Sequence, residues 1–347
     1  MGNERCGYVS DVTGYPRRGR TCCWRQVHRD SHRCIWHADT ENKSVQNLGP
    51  LKPRPGERLD GAIFRGLSLQ GVSWLSESVL VGADFSNTNL READLSGADL
   101  RKCSFASSTM SYATLEGANM EDTIVTDTDL RGADMTNTRL DQANFSSSKI
   151  NEDTTFGDQV IYELELWDTD NVNEQQDLLE SAIRTYRTLE NLSQANTFYN
   201  QASDYYRQSK DLRRQFKWMT NNHGQALLAE LSRWFTGYGN LPMRVIYTSL
   251  GVILLWGLVY PIVGGLRHGN RDVVYTFTTT ASISPEYVGT VLLKSIFFST
   301  VTFTTLGYGN MAPVGTLAAY FAGIEALLGS ILMALLVGVL TRSTWLR

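Results

Sequence analysis

A chain of 347 residues is too long for one ordinary small domain, and 42% apolar with 20% charged residues excludes wholesale disorder. A formal charge of −4 gives no global case for binding nucleic acid. Mean hydropathy is slightly negative, but that average hides an asymmetry: the apolar residues crowd into the last third.

The chain opens on cysteines. Cys6, Cys22, Cys23 and Cys34 fall within the first 34 residues, and Cys103 stands apart. The amino terminus is polar and basic, with no apolar run, which predicts no signal peptide and a reducing cytosolic setting. Disulfides are not expected there, so metal ligation is the better reading of the cluster. Cys34-Ile35-Trp36-His37 supplies two ligands from one turn, Cys6 a third, and Cys22 or Cys23 the fourth of a tetrahedral zinc site. His28 and His32 are alternative ligands. Residues 1–45 hold too few apolar side chains for a core, so metal would supply the folding energy of this zinc-knuckle-like segment.

Residues 58–157 repeat with a period of five. Phe85, Leu90, Leu95, Leu100 and Phe105 begin a series of fourteen apolar positions that ends at Ile150. Two residues before each stands a small one, from Ala83 and Thr88 to Ala143 and Ser148. An α-helix would scatter a period of five around its circumference, and a strand would alternate faces at every step. A square coil of four pentads buries both sets, with the small slot of Cys103 read as core. The phase continues upstream with a one-residue slip through Leu80, Trp74, Leu69 and Phe64. Ala93-Asp94-Leu95 and Ala98-Asp99-Leu100 resemble the pentapeptide-repeat family, which implies a right-handed quadrilateral β-helix. Some members of that family mimic DNA. This outer face is only mildly acidic, with 14 Asp and Glu against 8 Lys and Arg from Glu57 to Lys149, so no nucleic-acid role is expected.

Residues 158–222 carry a helical apolar rhythm, with Leu179, Ala182, Ile183, Tyr186 and Leu189 followed by Phe198, Ala202, Tyr205 and Leu212. A cytosolic helical hairpin is expected, loosely similar to one tetratricopeptide unit. In 223–242, Ala226 to Phe235 resembles an interfacial linker helix, and Gly237, Gly239 and Pro242 form a pivot behind it. Gly237-Tyr238-Gly239-Asn240 reads as a turn.

Residues 243–347 predict an all-α membrane segment. A first span covers 243–265, since Val245 to Leu266 has no charge; a second covers 314–341, with Glu325 its one charge. Between them a pore helix over 285–303, with Pro285 at its first position and Ser284 as N-cap, leads into a re-entrant loop over 304–310. The Arg residues flanking the spans favour both termini in the cytoplasm, in a multi-pass protein of the plasma membrane.

Thr304-Thr305-Leu306-Gly307-Tyr308-Gly309-Asn310 is similar to the filter of potassium channels. That resemblance implies K+ ions coordinated by the carbonyls of Thr305, Leu306, Gly307 and Tyr308 together with the Thr305 hydroxyl, with Gly309 completing the filter. It also implies a homotetramer in the lipid bilayer, because one chain supplies a quarter of the pore. Leu306 stands where Val or Ile is usual, and Asn310 where Asp is usual. Gly329 lies where such channels bend the inner helix. If it faces the pore, Ser330, Met333 and Val337 approach the axis below it, the last two as an apolar gate. Glu325 either sets cavity electrostatics or bonds Ser299 or Thr302 behind the filter. No enzyme is expected, since no nucleophile, base and oxyanion donors come together, and no regulatory ligand can be named.

Overall fold

The computed structural model describes residues 5–10, 21–23, 25–27, 32–39, 43, 58–269, 274–277, 285–307 and 310–345. The chain divides into two compact units, Met1–Asn221 and Asn222–Arg347.

In the first unit, β1 (Val9–Ser10) and β2 (Thr21–Cys22) form a short antiparallel ladder. From Arg58 onward the backbone coils on itself. Val79 bridges Asp99, Asp84 bridges Ser104, and this parallel register of twenty residues continues to Asp129 with Lys149. One turn therefore takes four pentads. All large pentad residues from Phe85 to Ile150 are buried, and so are the small ones two positions earlier. At Thr88, Cys103, Thr128 and Thr138 the side chain in the small slot donates to a carbonyl of the previous turn, whereas Thr123 bonds Met120 O within its own turn. Thr88 reaches Phe64 O (2.8 Å), Thr128 reaches Phe105 O (2.8 Å), and the Cys103 thiol reaches Leu80 O (3.1 Å). Burial pushes the pKa of that thiol up, as befits a core position.

Each pentad turns two residues after its large side chain, in the left-handed region. Asn87, Glu92, Lys102, Ser107 and Tyr112 have φ between 57° and 59°, and Gly97, Gly117 and Gly132 take the same place in other pentads. Phe64, Phe85 and Phe105 stack along the coil at 4.5 and 5.0 Å between centroids. The slip expected between Trp74 and Leu80 lies one pentad earlier. Leu75 is the buried residue and Trp74 is displaced to the side, so the break falls between Leu69 and Leu75. Bridges before it run at twenty-one residues, Ile63 with Asp84 and Ser68 with Asn89, because that turn holds one extra residue.

The coil ends against helices. After the short α1 (Ile161–Glu165), α2 (Val172–Ala195) and α3 (Tyr199–Met219) pack side by side. Their inner faces carry Leu179, Ala182, Tyr186, Leu189, Tyr205 and Leu212, which join the core of the coil. Polar contacts fix the seat. Arg184 holds both oxygens of Asp141 (2.8 and 2.9 Å), and Asn196 bonds both Ser148 O (2.9 Å) and the Ile150 N–H (3.2 Å). The hairpin is thus the carboxyl-terminal cap of the coil, a role its periodicity did not reveal.

In the second unit, α4 (His223–Thr236) stops at Gly237, whose φ of 55° is followed by 59° at Tyr238 and 81° at Gly239, forming a turn. The long helices α5 (Pro242–Val263) and α7 (Thr316–Trp345) are apolar, and Pro242–Val263 and Thr316–Thr341 are each long enough to cross a membrane. Between them α6 (Pro285–Phe303) packs on both. Gly257 of α5 permits its close approach, since a Cβ there would lie 2.8 Å from the Ile296 side chain. The expected cap Ser284 lies outside the described residues.

Candidate functional site

The pore segment begins where α6 stops. Thr304, Thr305 and Leu306 direct their N–H groups back to Thr300, Thr302 and Val301 (3.0, 3.0 and 3.1 Å), closing the helix. Thr305 and Gly307 both have a φ of 55°, with Leu306 between them. A left-handed Thr is uncommon, and backbone of this kind turns successive carbonyls toward one side. Thr305, Leu306 and Gly307 are exposed in the isolated chain, whereas Tyr308 and Gly309 lie outside the described residues. On leaving the segment the backbone is held by a small sheet. β3 (Leu266–His268) pairs with β4 (Val274–Tyr275) on one side and β5 (Met311–Pro313) on the other. The Gly269 N–H adds a bond to Asn310 O (2.8 Å). These strands are too short to leave a sequence pattern.

Behind the pore segment sits Glu325, fully buried on α7. Tyr260 of α5 donates to one carboxylate oxygen (2.6 Å), and the Ser299 hydroxyl of α6 meets the other while also reaching Ile253 O (2.8 Å). One carboxylate therefore ties three helices at a single point. Of the two partners expected, Ser299 is present, Thr302 is not among its contacts, and Tyr260 was missed because it comes from 65 residues away. Tyr260 also packs edge-on against Phe298 at 4.9 Å.

Gly329 is placed differently from the expectation. It is buried, and a Cβ there would lie 2.0 Å from Phe303 O. It therefore lies against the last residue of α6. Ser330, Met333 and Val337, three to four residues apart on α7, are exposed in the isolated chain, whereas Gly329 is not.

The second group lies in the first unit. Cys6, Cys23, Cys34 and His37 bring their ligand atoms within 4.8 Å of one another. Cys23 is thus the member of the adjacent pair that joins, while the Cys22 side chain lies outside the described residues, as does His28. Cys34 Sγ is 3.6 Å from Cys23 Sγ and 3.3 Å from His37 Nδ1, and Cys6 Sγ is 3.6 Å from Nδ1. A tetrahedral ion with bonds of about 2.3 Å to sulfur and about 2.0 Å to nitrogen sets such edges near ~3.8 and ~3.5 Å. The group is therefore fit to hold a metal ion. The hydrogen bond from Cys34 draws the Cys23 thiol down against its burial, and the same bond, with burial, pushes Cys34 up.

Family models match two parts of the chain, the coil and the carboxyl-terminal segment. Residues 75–105 and 108–146 match the family model described as pentapeptide repeats, in 8 copies, and residues 272–345 match the one described as ion channel. The chain carries pentapeptide repeats joined to a two-transmembrane ion-channel segment. No curated relative matches it. Among solved structures it is similar to the pentapeptide repeat protein Rfr23 of the cyanobacterium Cyanothece, at 23% identity over 28% of this chain and 65% of that one, with a TM-score of 0.23. HetL of the cyanobacterium Nostoc, a pentapeptide repeat protein involved in heterocyst differentiation regulation, gives 22%, 28%, 46% and 0.27. A pentapeptide repeat protein of the Arabidopsis thaliana thylakoid lumen gives 26%, 37%, 90% and 0.13. The chain spans less than two thirds of the first two, and likenesses this low carry nothing about function.

Proposed function

We propose that this protein is a homotetrameric, potassium-selective channel of the plasma membrane, with both termini cytoplasmic and no catalytic activity. The observation that carries the reading is the Thr304–Gly307 segment. It follows directly on a helix set between two apolar helices, and its Thr305 and Gly307 share the left-handed backbone that lets carbonyls line up. A ring of such carbonyls replaces the hydration shell of K+, and the negative end of α6 favours a cation there. In the tetramer Thr305, Leu306, Gly307, Tyr308 and Gly309 form the filter around a re-entrant loop, and Ser330, Met333 and Val337 line the pore beneath it, with Met333 and Val337 as its gate. The pentapeptide coil, a quadrilateral β-helix in this reading, assembles or gates the pore from the cytosol. The Cys6, Cys23, Cys34 and His37 group holds zinc, which has the ligand preference and tetrahedral geometry those edges match.

Planar-bilayer recording of the purified protein under opposed K+ and Na+ gradients tests the channel. The reversal potential should follow K+, and Gly307→Ala or Tyr308→Ala should abolish that preference. Equal passage of both ions would defeat the selectivity and implicate Leu306 and Asn310. A complete absence of current would favour a membrane-anchored interaction module.

A further inference from the structure

A coil of paired turns has an open end, because its first turn has no earlier turn to bond. Inside the coil, the Asp84 N–H donates to Ala62 O (2.9 Å) and the Asn89 N–H to Leu67 O (2.8 Å), each to the turn before. One turn ahead of Asp84, the Ile63 N–H makes the equivalent bond, at 2.8 Å, to Trp36 O, a carbonyl of the cysteine segment. Lys43 bridges that carbonyl (3.2 Å) and Ile63 O (2.7 Å). The buried Trp36 ring lies 5.6 Å from Phe64 and 5.8 Å from Trp74, extending the aromatic column of the coil by one step.

His37 makes the closest join. Its Nε2 is 2.8 Å from Asp60 O in the first turn, and a carbonyl can only accept, so Nε2 carries the proton. The Nδ1 lone pair is then the one facing Cys6 and Cys34. Tyr8 stacks on the same imidazole at 4.0 Å, and its hydroxyl occupies the space over Gly61, where a Cβ would stand 1.9 Å away. Arg33 fixes the other side by donating to Cys6 O (3.1 Å).

We infer that the metal group is the lid of the coil: an ion held by Cys6, Cys23, Cys34 and His37 Nδ1 locks Trp36 and His37 onto the first turn, so that binding metal and ordering residues 59–75 are one event. This rests on the zinc reading above. Without the ion no bond ties Cys6, Cys23, Cys34 and His37 together, the segment leaves, and Leu59, Ala62, Phe64, Leu67 and Leu69 face water across an unpaired strand edge. His37 is the positioning residue that carries the coupling, as ligand on one nitrogen and donor on the other.

Hydrogen–deuterium exchange on the full-length protein in detergent, loaded with zinc and then stripped with a chelator, reads the coupling directly. With free zinc about 100 times its dissociation constant, stripping should speed exchange of the amides in 59–75 by roughly 100-fold. Amides in 110–145 should not change. His37→Cys keeps four ligands but removes the donor to Asp60 O, so the same amides should exchange about tenfold faster with zinc still bound. A His37→Cys protein that loses its zinc must match the stripped wild type, and protection retained there overturns the lid. If zinc binds and leaves while the first-turn amides stay protected, the lid is wrong and the zinc site stands. If elemental analysis of protein purified without chelators finds no metal, both fall.

Discussion

Adding one methyl group at Gly329 probes the seat of the pore segment. The added Cβ would stand 2.0 Å from Phe303 O, 2.8 Å from its carbonyl carbon and 3.0 Å from its Cα, all backbone atoms with no rotamer to yield. An ordinary carbon–oxygen contact is about 3.3 Å, so α6 and α7 must separate by roughly 1.3 Å or tilt. Such overpacking costs about 1–3 kcal/mol. Phe303 is the last residue of α6 and leads straight into Thr304, so the displacement enters the segment proposed to coordinate ions. Gly323→Ala and Gly338→Ala are the matched controls. Both lie on the same helix, with no atom of the described residues beyond the helix's own backbone within 4 Å of the added carbon, and there alanine gains about 1 kcal/mol of helix propensity. Thermal unfolding of the purified protein in detergent and rubidium flux from liposomes should separate the three variants, with Gly329→Ala losing both stability and flux. If it melts and conducts like the other two, the close contact of α7 with the end of α6 is not what holds the pore segment.

Glu325→Ala strands the Tyr260 hydroxyl in the interior and leaves Ser299 only its bond to Ile253 O, and it should cost about 1–3 kcal/mol, as should Tyr260→Phe, which leaves one buried Glu325 oxygen without its donor; no loss from either in detergent unfolding would deny the three-helix tie. Phe85→Ala removes the middle ring of the aromatic stack and should destabilise the coil by about 3–5 kcal/mol in urea, and a loss below about 1 kcal/mol would mean the column is not tightly packed. Acid should weaken the coil. Burial raises the Asp84 carboxyl, but bonds from Ser86 and Arg65 outweigh it, and the bond from Arg131 lowers Asp129. Both contribute fully above the unfolded value near ~4 and lose that contribution as pH falls through their lower folded values, so unfolding midpoints should be flat from pH 7 to 5 and decline below ~4.

The period of five was legible because every fifth residue meets the same environment, so apolar side chains recur whatever the turn pairs with. The slip was misplaced because Trp74 and Leu75 are both large and apolar. What decides between them is the Trp36 ring, 5.8 Å from Trp74 and nearly forty residues earlier. Ligand chemistry singled out Cys6, Cys34 and His37, but spacing could not choose within Cys22-Cys23; only the folded segment sets Cys23 beside Cys34. The pairing of Asp141 with Arg184 left no trace either, because an acid on a coil and a base on a helix look like ordinary surface charges until they meet. Gly329 was recognised as special, yet whether a helical glycine faces a cavity or a neighbour depends on partners that a single helix does not contain.

A register of twenty residues turns the coil into a ruler with a coarse scale. Inserting one pentad between the lid and the helical hairpin would rotate everything downstream by a quarter turn, moving the hairpin to a new bearing relative to the metal group. Inserting four would restore the bearing and lengthen the spacing by one strand separation, about 4.8 Å. Chain length in this region is therefore free to drift in steps of twenty and constrained at every step between. Distance and direction between the two caps can be adjusted separately, by counting residues, without redesigning either end.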